Sequence, residues 1–352
     1  MLRRAMTRTD AHAAEIDVDS LTDAEGPVLV AGGAGYIGSH AVRLLVARGV
    51  PVVIYDDVST GHREACGAPL VEASLGDSDA LRRVFAEHRP RAVMHFAARC
   101  YVGESVREPA IYYRENVIYT WNLLEAMRVA GCGEIVFSST CATYGTPREV
   151  PITESHPQDP ISPYGRTKLH MEHMIDDYAR AYGLRFAALR YFNAAGASRD
   201  GTLGEDHDPE THLIPLLLEV ARGVRPEIAI FGDDYDTPDG TCIRDYIHVE
   251  DLADAHLRAL ARLQAGDERL MCNLGTGQGV SVREVVESAR RVTGHAIPAR
   301  VSPRREGDPP RLVSGGNRAR DLLGWKPARA GIDEIVHDAW EFQRKHPRGY
   351  AG

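Results

Sequence analysis

The chain has 352 residues, which is enough for one large or two medium-sized domains. Its hydrophobic (43%) and charged (26%) fractions are ordinary for a globular protein, its net charge of −9 argues against a nucleic-acid-binding surface, and no apolar run reaches the ~18 residues of a membrane span. The six cysteines show no metal-ligand spacing, so we predict no metal site and interpret them as reduced thiols of a cytoplasmic protein.

The first 26 residues differ from the rest in their charge pattern. Three arginines are followed by six acidic residues, so the local charge is −3. No apolar core follows the arginines, which argues against a secretory signal. We expect residues 1–26 to be a mobile tail.

The strongest local pattern lies at residues 28–57, where a short apolar run precedes a glycine-rich turn. Residues 28–30 are typical of a buried parallel strand, and apolar residues at helical spacing follow the turn as far as Gly49. A second apolar strand at 51–55 then ends in Asp56. The sequence therefore predicts a strand, a glycine turn, a helix, a second strand and an acidic residue, in that order.

This order of elements indicates a dinucleotide site. Gly32, Gly35 and Gly38 let the chain turn tightly and let a pyrophosphate approach the helix N-terminus, where free N–H groups favour negative charge. Asp56, 18 residues after Gly38, can accept hydrogen bonds from both ribose hydroxyls and would repel a 2′-phosphate. We therefore favour NAD over NADP. The alternative is a glycine-rich turn with a packing role alone.

Strand and helix patterns alternate as far as residue 193. Strands are expected at 70–73, 92–98, 135–139 and 185–192, and helices at 79–88, 111–129 and 164–181. The alternation predicts an α/β protein with a doubly wound parallel sheet, whose ligands lie beyond the carboxyl ends of the strands. Beyond residue 193 the pattern becomes irregular. Helices are then expected at about 213–222, 249–264, 281–293 and 331–345.

These patterns suggest three regions. Residues 1–26 form the tail, 27–193 a Rossmann-type NAD-binding domain, and 194–352 a smaller C-terminal α/β substrate domain. Part of residues 242–272 is expected to pack with the NAD-binding domain, although it follows residue 193 in the chain. An irregular segment that follows the nucleotide fold is typical of a smaller substrate-binding domain.

Three polar residues form a candidate catalytic set. Thr140 follows the strand at 135–139, and Tyr164 and Lys168 lie at i and i+4 on one helical face. A tyrosine with a pKa of about 10 is a poor base at neutral pH unless cations, here the Lys168 ammonium and a positive nicotinamide, favour the phenolate. With Thr140 sharing the hydrogen bond, the set can remove a proton from an alcohol whose carbon gives hydride to NAD. The alternative is an ordinary helix start, with Tyr164 packed and Lys168 solvated.

With these residues in place, the sequence resembles the UDP-glucose 4-epimerase family of extended short-chain dehydrogenases over residues 28 to about 350. The G-x-x-G-x-x-G spacing is typical of the extended enzymes. The blocks that carry the resemblance are GGAGYIGSH at 32–40, HFAA at 95–98, VGES at 102–105, SPYGRTK at 162–168, RYFNAAG at 190–196, DGTCIRDYIHVEDLADAH at 239–256, NLGTG at 273–277 and PRREGDP at 303–309.

The resemblance implies reversible C4 epimerisation of a UDP-sugar. Hydride passes from C4 to NAD, the 4-keto sugar rotates, and the hydride returns to its other face while NAD stays bound. Tyr164 would be the base, Lys168 would hold the nicotinamide ribose, and Thr140 would bond the sugar O4. The resemblance also implies a homodimer built on the helices at 111–129 and 164–181.

Residues and resemblance together define two sets of candidate binding residues. The cofactor-binding candidates are Gly32, Gly35, Tyr36, Ile37, Gly38, Asp56, Leu75, Phe96, Ala97, Asn116, Tyr164 and Lys168. The substrate-binding candidates are Thr140, Tyr164, Asn193, His212, Arg244, Arg305, Asp308 and Leu312. By the resemblance, Arg244 and Arg305 would grip the diphosphate and Asp308 the uridine ribose. Bidentate guanidinium–phosphate contacts give that assignment a physical basis.

Five residues depart from the best-known members of the family. Ser74 and Leu75 stand where many carry an aspartate near adenine, Cys100 replaces a lysine, and His212 replaces an asparagine. Leu312 occupies a position where some members carry a pocket-restricting tyrosine, so 2-acetamido sugars are expected to fit. The run SSTCATYG at 138–145 also resembles UDP-pentose (xylose or arabinose) 4-epimerases, which keeps a pentose substrate open.

Two competing functions remain. A nucleotide-sugar dehydratase or decarboxylase is the nearest enzyme alternative, but a dehydratase needs an acid and a base after Thr140, and Cys141 and Ala142 stand there. A non-catalytic NAD-binding protein is the alternative from another class. Such proteins tend to lose the Tyr/Lys pair, and Tyr164 and Lys168 are both present.

Overall fold

The computed structural model describes residues 16–305 and 307–351. The strands are β1 Val28–Ala31, β2 Val52–Asp56, β3 Leu70–Glu72, β4 Ala92–His95, β5 Glu134–Thr140, β6 Arg185–Tyr191, β7 Asn193–Ala195, β8 Ile228–Phe231, β9 Ile243–His248, β10 Arg269–Leu274, β11 Gly279–Ser281, β12 Ala299–Ser302, β13 Arg311–Leu312 and β14 Pro347–Tyr350. The helices are α1 Tyr36–Ala47, α2 Ser78–His88, α3 Val102–Arg107, α4 Pro109–Tyr112, α5 Tyr119–Ala130, α6 Pro163–Tyr182, α7 Leu213–Ala221, α8 Val249–Gln264, α9 Val282–Thr293, α10 Arg318–Leu323 and α11 Ile332–Lys345.

Seven parallel strands form the central sheet, in the order β10-β6-β5-β4-β1-β2-β3. Every residue of β1 and β5 is buried, as a strand with helices on both of its faces requires. One apolar core joins α1 and α8 to one face, and a second joins α2, α5 and α6 to the other. The predicted doubly wound α/β fold is therefore confirmed.

The second half of the chain contributes to two layers. Strand β9 pairs with β7, β11 and β13 in a smaller sheet, and β8 pairs with β12. The helices α7, α9 and α11 contribute to a separate apolar core beside these strands. Residues 249–274 instead return to the large sheet, where α8 packs on β5 and β6 and β10 pairs with β6. The domain division near residue 193 stays a prediction, and 249–274 is the segment that crosses it.

The segment before β1 differs from the expected tail. Val18 and Leu21 are buried in the core that contains α8, and the Leu21 carbonyl accepts a 2.6 Å hydrogen bond from the Arg91 guanidinium. Full burial of a leucine side chain contributes about 2 kcal/mol to stability. The prediction of a mobile tail is therefore wrong for residues 16–26, and residues 1–15 lie outside the described residues.

Two predicted elements change form next to the carboxyl edge of the sheet. Strand β4 ends at His95, three residues early, because the N–H groups of Phe96 and Ala97 both donate to the Ala31 carbonyl (2.8 and 3.0 Å) and lead the chain across β1. The helix predicted at 111–129 contains a π-helical segment, Tyr113–Ile118, between α4 and α5. Such segments often mark functional sites, and apolar periodicity does not reveal them.

None of the helices in the described part of the chain combines the length and the apolarity that a bilayer span requires.

Candidate active site

Two glycines of the turn after β1 are required by the protein's own packing. Gly32 has φ +82°, and a Cβ placed there would lie 2.4 Å from the Ala97 nitrogen. A Cβ on Gly38 would lie 2.0 Å from the Gly32 carbonyl oxygen. Real Cβ atoms do not approach backbone this closely, so both glycines let α1 and the segment after β4 pack against the turn.

Gly35 is different, because a Cβ there would meet only the Gly32 carbonyl oxygen at an ordinary 3.5 Å. Its φ of −79° is also accessible to any residue. Gly35 directly precedes α1, whose first-turn N–H groups, including those of Tyr36 and Ile37, have no partners within the helix. The missing side chain thus leaves room for an anionic ligand at a helix N-terminus, and this cradle fits the pyrophosphate of a dinucleotide.

Asp56, the last residue of β2, holds this turn in place. Its carboxylate accepts hydrogen bonds from the Ala34 N–H (2.9 Å) and the Val58 N–H (2.8 Å). Burial raises the pKa of Asp56, and these two hydrogen bonds oppose that shift. A carboxylate has about four acceptor positions, so it retains capacity for ribose hydroxyls. The prediction that Asp56 binds the adenosine ribose is compatible with this second task.

The other predicted cofactor contacts lie around the same edge. Phe96 and Ala97 follow β4 and pass over Gly32. Leu75 follows β3 in a largely buried position, and its carbonyl accepts a 3.0 Å hydrogen bond from the Asn122 amide. The structure thus brings Phe96 and Ala97 beside the glycine turn, while Leu75 lies beyond the neighbouring strand.

Asn116 is completely buried in the π-helical segment, and its amide is occupied by protein groups. Its oxygen accepts from the Arg99 N–H (2.8 Å), and its nitrogen donates to the Arg99 carbonyl (3.1 Å) and the Thr167 hydroxyl (3.0 Å). Asn116 therefore connects the loop after β4 to α6 at Thr167, the residue before Lys168. Its predicted contact with NAD stays a prediction.

The candidate catalytic residues lie where β5 ends and α6 begins. Thr140 is the last residue of β5, and α6 starts with Pro163 at its first position and with the Ser162 hydroxyl accepting from the Gly165 N–H (3.1 Å). This cap fixes the first turn of α6, which holds Tyr164. Tyr164 and Lys168 are both buried, and the burial of Lys168 contradicts the alternative interpretation, which requires a solvated lysine.

Burial is the largest cause of the pKa shifts of Tyr164 and Lys168. It raises the pKa of Tyr164 well above the usual range, and a hydrogen bond with the Thr140 side chain opposes the shift. It lowers the pKa of Lys168 to about 8. The Lys168 ammonium donates to the Ser138 carbonyl (2.9 Å) and lies 5.0 Å from the centre of the Phe137 ring. The lowering of the tyrosine pKa by Lys168 stays a prediction.

Behind Thr140, a buried ion pair joins α6 to β6. Arg190 donates to Glu172 from two nitrogens (2.9 and 2.6 Å), and both side chains are less than 10% exposed. Arg190 also donates to the Tyr144 hydroxyl (2.9 Å), which donates in turn to the Asn273 side chain (2.6 Å). Ser139 completes the network through a hydrogen bond to Glu172. These contacts fix β5, β6, β10 and α6 relative to one another.

The predicted substrate-binding residues gather around β9. Asn193 pairs with Tyr246 of β9, and Leu312 pairs with Arg244 at the start of the same strand. Arg244 is almost buried, forms an ion pair with Asp308 and donates to the Ile243 carbonyl (2.8 Å). Leu312, which pairs with Arg244, packs against the buried cluster that contains Cys141, the residue after Thr140, so this end of β9 lies near the catalytic strand end.

Two predicted residues make other contacts. The Arg305 guanidinium lies 4.0 Å from the centre of the Phe231 ring, a cation–π arrangement on an exposed side chain. His212 precedes α7, and its Nδ1 lies 2.8 Å from Glu205 and 3.3 Å from Glu210. Their predicted contacts with the nucleotide sugar stay predictions.

Sequence reasoning missed the residues that hold the catalytic set in position. Ser138, Glu172 and Arg190 were predicted only as parts of a strand or a helix. The one signal in the sequence was Arg190, a charged residue in an apolar strand, since a buried charge needs a partner. The partner, Glu172, lies on a separate helix and is not indicated by any local pattern.

Comparisons with known proteins agree with this geometry. A family model described as the NAD dependent epimerase/dehydratase family matches residues 28–275. The UDP-glucose 4-epimerase of Streptomyces lividans is 53% identical over 328 residues, 92% of this chain and 98% of that protein. The UDP-glucose 4-epimerase of Halalkalibacterium halodurans is 49% identical over 325 residues, 92% of this chain and 97% of that protein.

A solved structure extends the similarity to the whole fold. The crystal structure of UDP-glucose 4-epimerase from Brucella ovis in complex with NAD has a TM-score of 0.88 and 51% identity, and the match covers 90% of this chain and 98% of that chain. The matched family region contains the glycine turn, Thr140, Tyr164 and Lys168. This chain therefore belongs to the NAD-dependent epimerase/dehydratase family.

Proposed function

We propose that this chain is a UDP-glucose 4-epimerase that interconverts UDP-galactose and UDP-glucose through a 4-keto sugar. The observation that carries the proposal is the buried set of Thr140, Tyr164 and Lys168 at the carboxyl edge of the sheet that also holds the glycine turn. Relatives with this activity in their names align over nine-tenths of the chain.

The glycine turn would hold the cofactor. We assign the pyrophosphate of NAD to the space in front of Gly35 and the start of α1, and the adenosine ribose to Asp56. Phe96 and Ala97 would line the cofactor where β4 ends. When bound, NAD would supply reversible hydride transfer at C4 of the sugar. No oxidant is consumed, because the hydride removed from C4 returns to the same carbon.

The catalytic set handles the proton at the sugar O4. Tyr164 takes this proton when C4 is oxidised and returns it when C4 is reduced. Burial makes the tyrosine hold its proton firmly, so proton removal depends on positive charge nearby, which the Lys168 ammonium supplies. Thr140 shares the hydrogen bond to O4 and orients the hydroxyl toward Tyr164.

The residues around β9 would hold the UDP group while the keto sugar rotates. Arg244 has five N–H donors, and its contacts with Ile243 and Asp308 leave some of them for the diphosphate. We assign Asp308 to the uridine ribose and Arg305 to the diphosphate. His212 would lie near the nucleotide. Anchoring the UDP group alone lets the sugar present either face to the nicotinamide, as inversion at C4 requires.

A second candidate substrate class is the UDP-N-acetylhexosamines, and Leu312 favours it. Leu312 lies beside Arg244 and packs against a buried cluster that contains Cys141, Tyr144 and Phe192. A leucine is shorter than the tyrosine carried at this position by some similar enzymes and leaves room for a 2-acetamido group. UDP-pentoses remain a third class, because SSTCATYG resembles pentose epimerases.

We infer a homodimer built on α5, α6 and the π-helical segment before α5. Ile118, Trp121 and Tyr182 are 52%, 49% and 61% exposed, which is high for large apolar side chains. Apolar surface of this kind is typical of protein–protein interfaces. Light scattering that gives twice the mass of the chain would support the dimer, and a monomer at micromolar concentration would contradict it.

We also infer a cytoplasmic location. All six cysteines are free thiols, as is typical of a reducing compartment.

The experiment that tests the function is NMR of UDP-galactose with the purified full-length protein and no added NAD. Conversion to an equilibrium mixture with UDP-glucose would support 4-epimerase chemistry with a retained cofactor. If NAD is present in the protein and no conversion occurs, the hexose assignment fails, and the acetamido and pentose sugars are tested next. If the protein neither converts the sugar nor binds NAD, the catalytic proposal fails.

A further inference from the structure

Four potential metal ligands converge in the loop between β7 and α7. They are Glu205, His207, Glu210 and His212, and one donor atom from each lies within 4.8 Å of all the others. The spacing E-x-H-x-x-E-x-H packs the four residues into eight positions of the chain. The proposed reaction uses none of these side chains except His212.

The distances between the donor atoms resemble the edges of a coordination polyhedron. His207 Nδ1 lies 3.2 Å from Glu205 Oε1 and 3.7 Å from Glu210 Oε2, and His212 Nδ1 lies 2.8 Å from Glu205 Oε1 and 3.3 Å from Glu210 Oε1. Four ligands at about 2.1 Å from a tetrahedral metal ion are about 3.4 Å apart. A single ion between the four groups would therefore need only small shifts of the side chains.

The alternative is a cluster held together by protons, with both imidazoles charged. Each Nδ1–H would then point at a carboxylate oxygen. Both Nδ1 atoms are instead buried without an aligned hydrogen bond, although carboxylate oxygens lie nearby. A shared metal ion is compatible with this arrangement, because the ion need not lie on the line between nitrogen and oxygen.

The surroundings suit a metal site. The side chains of Glu205 and Glu210 are only 6% and 8% exposed, and two buried carboxylates require positive charge. Glu210 accepts hydrogen bonds from the backbone N–H groups of Thr211 (2.6 Å) and His212 (2.7 Å), which fix its orientation as outer-shell contacts do in metal sites. A cleft of about 340 Å³, lined in part by Glu205, His207 and Glu210, provides an entry path.

We propose that Glu205, His207, Glu210 and His212 bind one divalent transition-metal ion, with zinc the best fit. Imidazole ligands favour transition metals over magnesium or calcium, and four protein ligands leave no open position for catalysis, so the site is structural. The ion would pin the loop against Tyr36 and Tyr101, whose rings are 6.4 and 5.9 Å from that of His207. His212 would ligate through Nδ1, and its Nε2 would stay free to face the nucleotide.

The test measures zinc binding by the full-length protein. Wild type, His207→Gln and the control His295→Gln are stripped with a chelator and titrated with Zn²⁺ against a chromophoric competitor. His295 is an exposed histidine outside the cluster. We expect about one zinc per chain for wild type and the control, and about 100-fold or more weaker binding for His207→Gln. Equal affinities in all three proteins, or an equal loss in His295→Gln, would overturn the site.

A second measurement does not depend on the folding of a variant. Wild type loaded with Co²⁺ should develop the strong visible bands of a four-coordinate site with nitrogen and oxygen ligands. The faint spectrum of an octahedral aquo ion would overturn the proposal, as would wild-type protein that takes up no metal. Chelation should also lower the unfolding temperature of wild type and leave that of His207→Gln unchanged.

Discussion

The ammonium of Lys168 donates a 2.9 Å hydrogen bond to the carbonyl of Ser138, two residues before Thr140. This contact joins the first turns of α6 to the end of β5. Tyr164 and Thr140 are thereby held in one buried site, although they are 24 residues apart in the chain. The lysine thus has a positioning role besides the electrostatic role that the sequence predicts.

The pH dependence of turnover should report Lys168. Burial lowers its pKa to about 8, so the ammonium is lost as pH rises through about 8. If proton removal from O4 needs this charge, the rate in UDP-galactose conversion falls above that pH. Lys168→Met should abolish the dependence together with most of the activity, whereas the exposed Lys326→Met should keep the wild-type profile. A rate that is flat from pH 7 to 10 would contradict the role.

The same pKa shift predicts a change in stability with pH. Because the folded-state pKa of Lys168 lies below the ordinary 10.5, burial of the ammonium opposes folding fully below pH 8, and this penalty is relieved as pH rises toward 10.5. Wild type should therefore gain stability relative to Lys168→Met over this window, by about 3 kcal/mol. Urea unfolding at both ends of the window measures it, and a constant difference between the two proteins would contradict the shift.

Tyr164→Phe should lower turnover of UDP-galactose by about 10³-fold, since general acid–base groups contribute about 10²–10⁴-fold. The ring still packs in the buried site, so NAD content should stay at the wild-type level. Rates by NMR and the NAD released on denaturation measure the two effects. Tyr182→Phe, on the exposed end of α6, is the control and should match wild type in both. Unchanged turnover in Tyr164→Phe would refute its role as the base.

Gly38→Ala should lose stability, whereas Gly35→Ala should lose affinity for NAD. The Gly38→Ala Cβ meets the Gly32 oxygen at 2.0 Å, so the free energy of unfolding should fall by about 3 kcal/mol or more. The Gly35→Ala Cβ has room in the protein, so stability should hold while NAD binds about tenfold or more weakly, a loss of about 1.4 kcal/mol.

Gly133→Ala is the matched control for both glycine variants, because nothing lies within 4 Å of its added Cβ. Chemical unfolding and NAD titration of the stripped proteins separate the two effects. Normal NAD affinity in Gly35→Ala would mean that the pyrophosphate lies elsewhere.

Arg190→Met should destabilise the protein by about 3–5 kcal/mol, because it leaves the Glu172 carboxylate buried without its partner. The double variant Arg190→Met/Glu172→Met should recover much of the loss, since the uncompensated charge is gone. The exposed Arg291–Asp333 pair supplies the control, and Arg291→Met should cost less than about 1 kcal/mol. If the stability loss of the double variant equals the sum of the losses of Arg190→Met and Glu172→Met, the two residues are not a coupled pair.

Leu312→Tyr should reduce turnover of UDP-N-acetylglucosamine by about tenfold or more, a loss of about 1.4 kcal/mol, and should retain UDP-galactose turnover. The larger side chain fills the space that a 2-acetamido group would occupy beside Arg244. Leu312→Met, with a similar volume, is the control and should resemble wild type. If wild type does not convert the acetamido sugar, or the tyrosine variant converts it equally well, the pocket argument fails.

The sequence alone determined the parts of this protein that depend on local order. Val28–Ala31, the glycine turn, α1 and Asp56 follow one another in the chain, so their apolar spacing and glycine positions predicted the first βαβ unit and the NAD site. Tyr164 and Lys168 share one helical face, and their separation of four residues, together with the Ser/Thr strand end upstream and the glycine turn, predicted them as a pair. The named blocks, read in order, also indicated the family.

Tertiary structure decided what depends on residues far apart in the chain. The burial of Leu21, the return of β10 to the large sheet and the Arg190–Glu172 pair are not encoded in any single periodic segment. A buried charge such as that of Arg190 gains its partner only when separate elements pack, because burial removes the water that would otherwise satisfy it. Local patterns predicted which residues can do chemistry here, and the packing of the two halves decided which of them meet.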